Sequence, residues 1–136
     1  MVDTIPPEQR SENMRRIKSK GMRPEIAVRR LVHAKGYRFR LHCATLPGKP
    51  DIVLPRWRKI IEVRGCFWHQ HGRCIDSHIP KSGRAYWVPK LRRNRERDKH
   101  NLRRLRALGW RVLVVWECEV THPTRLSRKL DRFLGA

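Results

Sequence analysis

The strongest constraint in this chain is a set of zinc-type ligands that would tie two distant segments together. Cys66, His71 and Cys74 follow the spacing C-x4-H-x2-C, and Cys118 closes the apolar run VVWEC far downstream. Thiolate and imidazole are preferred zinc ligands, and four of them close a tetrahedral structural site. A loop carrying three ligands would then be pinned to the strand that carries the fourth. His69 and His78 compete for ligation, and the same residues can also be read as unligated thiols and surface histidines. Cys43 stands outside the cluster and reads as a small buried residue or an unpaired thiol. Two other zinc chemistries are excluded. The chain has neither the His-x-Glu and Pro-Cys-x-x-Cys of a nucleobase deaminase nor the His-Glu-x-x-His of a metalloprotease.

With 136 residues, the chain is expected to form a single domain over residues 1–136. The core of such a domain is modest, so a structural metal would add useful stability. The chain carries 33 Lys+Arg against 12 Asp+Glu, a formal net charge of +21. Such an excess points to a polyanionic partner, with affinity that falls steeply with salt. The basic residues lie inside patterned segments and no lipidation motif is present, which favours nucleic acid over a membrane surface. No apolar run approaches the roughly 18–20 residues of a membrane span. The opening MVDTIPPEQR lacks the apolar stretch of a signal peptide. A cytoplasmic protein with reduced thiols is therefore expected.

The patterning predicts the order ααβββαβα. A basic helix spans Ser11–Lys20, and a second starts at Pro24 and ends before Gly36, with Ile26, Leu31 and Val32 facing the core. Strands follow at Tyr37–Leu41, Asp51–Leu54 and Lys59–Val63. A long basic helix covers Pro89–Leu108, with Leu91, Leu102, Leu105 and Leu108 near one face. Trp110–Trp116 is apolar enough for a central strand, and Thr124–Leu134 makes a last amphipathic helix. The fold class is α/β, a mixed central sheet flanked by helices.

Two carboxylates stand out on these strands. If the second and third strands form a hairpin around PRWR, Asp51 and Glu62 come close together. Paired hard oxygens suit Mg²⁺, which binds through one or two carboxylates plus substrate phosphate. Pro50-Asp51 with Glu62-Val63-Arg64 is similar to the PD-(D/E)xK pattern of a large nuclease superfamily, with Arg64 at the lysine position. The plainer reading is an Asp51 that starts a turn and a Glu62 that pairs with an arginine. Phe67, Trp68, Tyr86 and Trp87 sit beside basic residues and read either as core or as rings that stack on DNA bases.

Several segments taken in order resemble one family, the very-short-patch mismatch repair endonucleases, a branch of that superfamily. They are SENMRRIKSK, LPGKPDIVL, GCFWHQH and NRERDKHNLRRLRALGWRVLVVWEC, with the Trp87 region between the last two. The resemblance implies a restriction-endonuclease-like core with a structural zinc site. It implies a strand-specific, Mg²⁺-dependent nick 5′ to the T of a T:G mismatch left by deamination of 5-methylcytosine. By resemblance, Asp51 binds catalytic Mg²⁺, Val63 adds its backbone carbonyl, His69 is the acid/base, and Glu25 holds metal-bound water. Cys66, His71, Cys74 and Cys118 match the zinc ligands. Phe67, Trp68 and Trp87 match the aromatics that wedge beside the mismatch, and Met14, in an N-terminal DNA-contacting segment 1–20, reaches the opposite groove. Glu62 and Arg64 depart from the family pattern. Glu62 is either an extra metal ligand in the catalytic set or a partner of Arg64. The expected partner is mismatched double-stranded DNA in the nucleoid, met by a monomer, with a functional link to a cytosine-5 DNA methyltransferase. The competing expectations are a zinc-stabilised DNA-binding module without catalysis and a related nuclease acting on matched or branched DNA.

Overall fold

The computed structural model describes residues 23–72 and 77–135. The expected helix Ser11–Lys20, Met14 with the 1–20 segment, and Cys74 lie outside these described residues. Helix α1 spans Pro24–Ala34. Pro24 suits its first turn, where a backbone N–H has no helical acceptor. Val28 and Val32 are fully buried and Leu31 packs beside them. Ile26, expected to face the core, is only half-buried and stands outside it. Two residues along a helix is a rotation of about 200°, so a face set by Val28 and Val32 turns Ile26 away.

Four strands form one sheet in the order β1-β2-β3-β4: β1 Arg40–Leu41, β2 Ile52–Leu54, β3 Lys59–Arg64 and β4 Arg111–Trp116. The pairs β1–β2 and β2–β3 are antiparallel, and β3–β4 is parallel. The hairpin around PRWR forms as expected, through a 3-10 turn at Pro55–Trp57 and a left-handed Arg58. The first strand is shorter than expected, because Tyr37 and Phe39 turn inward onto the core before pairing begins.

The structure corrects the placement of β4. Among the described residues it lies at the end of the sheet, and β3 is the inner strand beside it. Its apolar run reflects cover on both faces. Leu113 and Val115 meet the helices of one side, and Val112 meets the other.

Helix α2 spans Arg84–Ala107 and α3 spans Pro123–Gly135. α2 begins at Arg84 rather than Pro89. Gly83 starts it at φ 80°, and its carbonyl accepts the N–H groups of Tyr86 and Trp87, both at 3.0 Å. Pro89 inside the helix removes a single ladder bond. Leu91 and Leu105 are buried, but Leu108 lies past the helix end and is exposed. α3 buries Leu126, Leu130 and Leu134 at successive i,i+4 positions. Each such leucine contributes about 1.5–3 kcal/mol.

α1 and α3 share one core with Ile52, Leu54, Ile61 and Val115. On the other face, Leu105 of α2 packs on Val53 and Ile60. The result is a mixed sheet between two helical layers. Lys59 stiffens one seam: its Nζ is buried and donates to the Phe133 and Leu134 carbonyls at 2.6 and 3.0 Å. These are C-terminal carbonyls that helix geometry leaves without helical donors. No helix among the described residues is long and apolar enough to cross a membrane.

Candidate active site and metal centre

The β2–β3 register pairs Ile52 with Ile61, and one further step sets Asp51 opposite Glu62. Side chains alternate along both strands, so Asp51 and Glu62 share the sheet face that carries Val53 and Ile60. There they line a solvent-open cleft with Lys49, Arg64, His69 and Asp98. Asp51 Oδ2 accepts the Val63 N–H at 2.8 Å. Burial pushes the Asp51 carboxyl above its ordinary range, against the opposing pull of the Val63 hydrogen bond. A carboxylate short of solvation is one that a cation would stabilise.

Glu62 is nearly buried, and its Oε2 accepts from Arg64 Nη2 at 2.8 Å. Burial raises its pKa too, with Arg64 opposing. Of the two roles open to Glu62 in the sequence, the structure displays the pairing with Arg64. The pair brings a guanidinium to the cleft beside Asp51.

Two residues at this site escaped the sequence reading. His42 follows β1 in a left-handed conformation, φ 48°. Its Nε2 stands 3.2 Å from Glu25 Oε1, and its Nδ1 stands 3.9 Å from Asp51 Oδ1. Donor atoms of Glu25, His42 and Asp51 all lie within 4.8 Å of one another. Asp98, on the cleft-facing side of α2, places Oδ2 2.6 Å from His69 Nδ1. A carboxylate at Nδ1 holds the ring proton there and leaves Nε2 as the basic nitrogen. The one available signal for Asp98 was an acid inside the basic run NRERDKH.

The turn after β3 carries the remaining candidates. It is wound tightly: His69 N–H reaches the Gly65 carbonyl at 3.1 Å and His71 N–H reaches Cys66 at 2.9 Å. Cys66, His71 and Cys118 converge, with His71 Nδ1 3.7 Å from Cys66 Sγ and 3.5 Å from Cys118 Sγ. A zinc tetrahedron with Zn–S of about 2.3 Å and Zn–N of about 2.0–2.1 Å has S···N edges of about 3.6 Å. The donor set and spacing therefore fit zinc. Cys66 is fully buried, and the His71 ring stacks on Trp116 at 4.2 Å. His69 and His78 are outside this group among the described residues. Cys43 is half-buried, 3.3 Å from the Thr45 hydroxyl.

Phe67, Trp68 and Trp87 form one edge-to-face cluster with centroid distances of 5.2 to 5.5 Å. It joins the turn to the start of α2, and Tyr86 extends it at 4.9 Å from Trp87. Trp68 is 47% exposed and Tyr86 61% exposed, so the cluster is a surface platform. Lys90 Nζ lies 5.4 to 5.8 Å from the Tyr86, Trp68 and Trp87 rings.

Comparison with known proteins gives a consistent result. A family model described as DNA mismatch endonuclease Vsr matches residues 2–75. Type II nicking enzyme V.XorIIP of Xanthomonas oryzae pv. oryzae is 49% identical over 134 residues, covering 98% of each chain. Type II nicking enzyme V.NmeAIP of Neisseria meningitidis is 38% identical over 134 residues, 98% of this chain and 95% of its own. DNA mismatch endonuclease Vsr of Escherichia coli is 39% identical over 127 residues, 93% of this chain and 81% of its own.

Proposed function

The chain belongs to the family of the DNA mismatch endonuclease Vsr and is a DNA endonuclease; on that premise we propose that it nicks one strand of duplex DNA 5′ to the T of a T:G mismatch. The observation that carries the proposal is the cleft that gathers Asp51, Arg64 and the His69–Asp98 pair beside an exposed aromatic platform. Such a mismatch follows deamination of 5-methylcytosine, so the activity would serve a genome with a cytosine-5 methyltransferase, in the cytoplasmic nucleoid.

In this reading the sheet, with α1 on the face away from the cleft and α2 on the face that carries it, is a PD-(D/E)xK core. Asp51 and the Val63 carbonyl would hold Mg²⁺. The N–H and C=O of one strand residue point to the same side, and the Val63 N–H already donates to Asp51. When bound, the cation supplies charge neutralisation at the phosphate and a more acidic water. His69 moves the proton at Nε2, and Asp98 orients it. Arg64, steadied by Glu62, faces the scissile phosphate as a bidentate donor. Glu25 supports the carboxylate end of the cleft. Cys66, His71, Cys74 and Cys118 hold zinc, and that site fixes the turn bearing Phe67, Trp68 and His69.

The platform supplies the selectivity. A mismatched step is weakly stacked, so a wedge of Phe67, Trp68 and Trp87 opens it at lower cost than a paired step. Trp68→Ala is expected to weaken binding to T:G duplex by about 1–3 kcal/mol. Binding to matched duplex should change much less, as fluorescence anisotropy of both duplexes would show. Asp98→Asn keeps the shape of the His69 partner but removes its charge and favours the wrong tautomer. Nicking should fall by about 10²–10⁴-fold with substrate affinity retained, by single-turnover kinetics.

The proposal is tested by labelling each strand of a duplex with one T:G pair and mapping cuts in Mg²⁺. Incision of the T strand alone is expected. Equal cutting of matched duplex would select a nuclease of different substrate, and binding without any cleavage would leave a DNA-binding module.

A further inference from the structure

Lys49 stands where backbone geometry favours glycine. Its φ is 49°, in the left-handed region that residues with a Cβ rarely adopt. It also precedes Pro50, and a following proline ring pushes a residue toward extended backbone. Glycine would take this conformation without a Cβ penalty. The loop is tight on its other side as well. Gly48 has φ 77°, and a Cβ there would stand 2.9 Å from Asn101 Nδ2 of α2. Two hydrogen bonds hold the shape: the Lys49 N–H reaches the Leu46 carbonyl at 3.1 Å, and the Cys43 N–H reaches the Pro50 carbonyl at 3.2 Å. Strained backbone held by its surroundings is characteristic of ligand clamps and active sites.

The charges of the cleft give a reason for a lysine at this place. Its lining includes the acids Asp51, Glu62 and Asp98 and the cations Lys49 and Arg64. Arg64 is engaged by Glu62 at 2.8 Å, and Asp98 by His69 at 2.6 Å. Lys49 is exposed, and its side chain enters no ion pair among the described residues. It stands two positions before Asp51 on one side of the cleft, and Arg64 ends β3 on the other. A DNA strand entering here brings phosphates toward three carboxyl groups. An ammonium on a flexible stem is a compact point charge suited to meeting a phosphate oxygen.

We propose that Lys49 is a phosphate-binding residue that holds the backbone of the cut strand at Asp51, and that the left-handed loop serves to bring this charge to the cleft. The inference rests on the reading of this cleft as the place where DNA is cut.

The full zinc-loaded chain is titrated with T:G duplex over a range of salt without divalent ions, and nicking is followed by single-turnover kinetics in Mg²⁺. In Lys49→Gln the slope of log affinity against log salt should be shallower by about 0.9, the value of one lost phosphate contact. Its nicking at subsaturating enzyme should fall about tenfold or more. Lys49→Arg should keep both. Lys49→Gly should lose the same slope yet melt at or above the wild-type temperature, because glycine relieves the backbone. Arg128→Gln, on the exposed side of α3 beyond the opposite face of the sheet, controls for net charge and should keep the wild-type slope. A wild-type slope in Lys49→Gln, an equal loss of slope in Arg128→Gln, or a lowered melting temperature in Lys49→Gly would overturn the proposal. T-strand incision by the wild type would then still uphold the mismatch reading. A wild type that cuts T:G and matched duplex equally, with the slope lost in Lys49→Gln, would overturn that reading alone.

Discussion

Asp51→Ala is expected to reduce nicking by about a thousandfold or more while leaving DNA binding intact. Asp51 stands between the cleft and α1: Val63 donates to one of its oxygens, and His42, itself 3.2 Å from Glu25, stands 3.9 Å from the other. Its burial is unfavourable for a bare carboxylate and is relieved by a bound cation. Asp51→Asn is the sharper variant. It keeps the carbonyl that accepts from Val63 and loses the charge, so the fold should hold while activity falls as far. Removing a negative charge beside DNA phosphates should tighten binding slightly. Single-turnover rates and anisotropy without divalent ions read the two effects separately. A variant retaining more than about a tenth of the wild-type rate would place the cation elsewhere.

Cys118→Ala should lower bound zinc from about one per chain to near none and destabilise the fold by several kcal/mol. At this chain length that corresponds to a fall in melting temperature of about 10 °C or more. Cys118 follows β4, and Cys66 and His71 follow β3, so the site links the ends of two parallel strands. Loosening it releases the turn that carries Phe67, Trp68 and His69. Mismatch binding and turnover should therefore fall together in any Cys118→Ala protein that still folds. Cys43→Ala is the control, since Cys43 lies outside the converging group. Elemental analysis with calorimetry decides the matter. Unchanged zinc content in Cys118→Ala would remove it from the ligand set.

The hairpin that brings Asp51 to Glu62 was legible because alternation, the PRWR turn and Pro50 all pointed one way. The same holds for α3, where Leu126, Leu130 and Leu134 recur at helical spacing. The start of α2 was not legible. Pro89 is a strong first-turn signal, and what overrides it is tertiary: Trp87 packs on Phe67 and Trp68, which draws the helix back to Gly83. Position within the sheet was hidden for a different reason. The apolar run of β4 reports cover by helices on both faces and carries no information on how many strands flank it. His42 and Asp98 were missed because nothing local sets either apart: His42 follows a two-residue strand, and Asp98 is one of two acids in a run that is polar throughout. Their places at the site exist only once the fold sets the loop after β1 beside Asp51 and the inner face of α2 beside His69. Glu62 was the reverse case, a residue with two readable roles, and the 2.8 Å contact to Arg64 displays one of them.

The most direct measurement is the ratio of single-turnover nicking rates on two duplexes of identical sequence, one with a T:G pair and one with C:G. Unstacking costs a few kcal/mol and least at a mismatch, and a saving of about 2.7 kcal/mol corresponds to a rate ratio of about 100-fold. The expected result is a ratio of that size, with all cuts on the T strand, collapsing toward unity in Trp68→Ala. Equal rates on the two duplexes in wild-type protein would contradict the account.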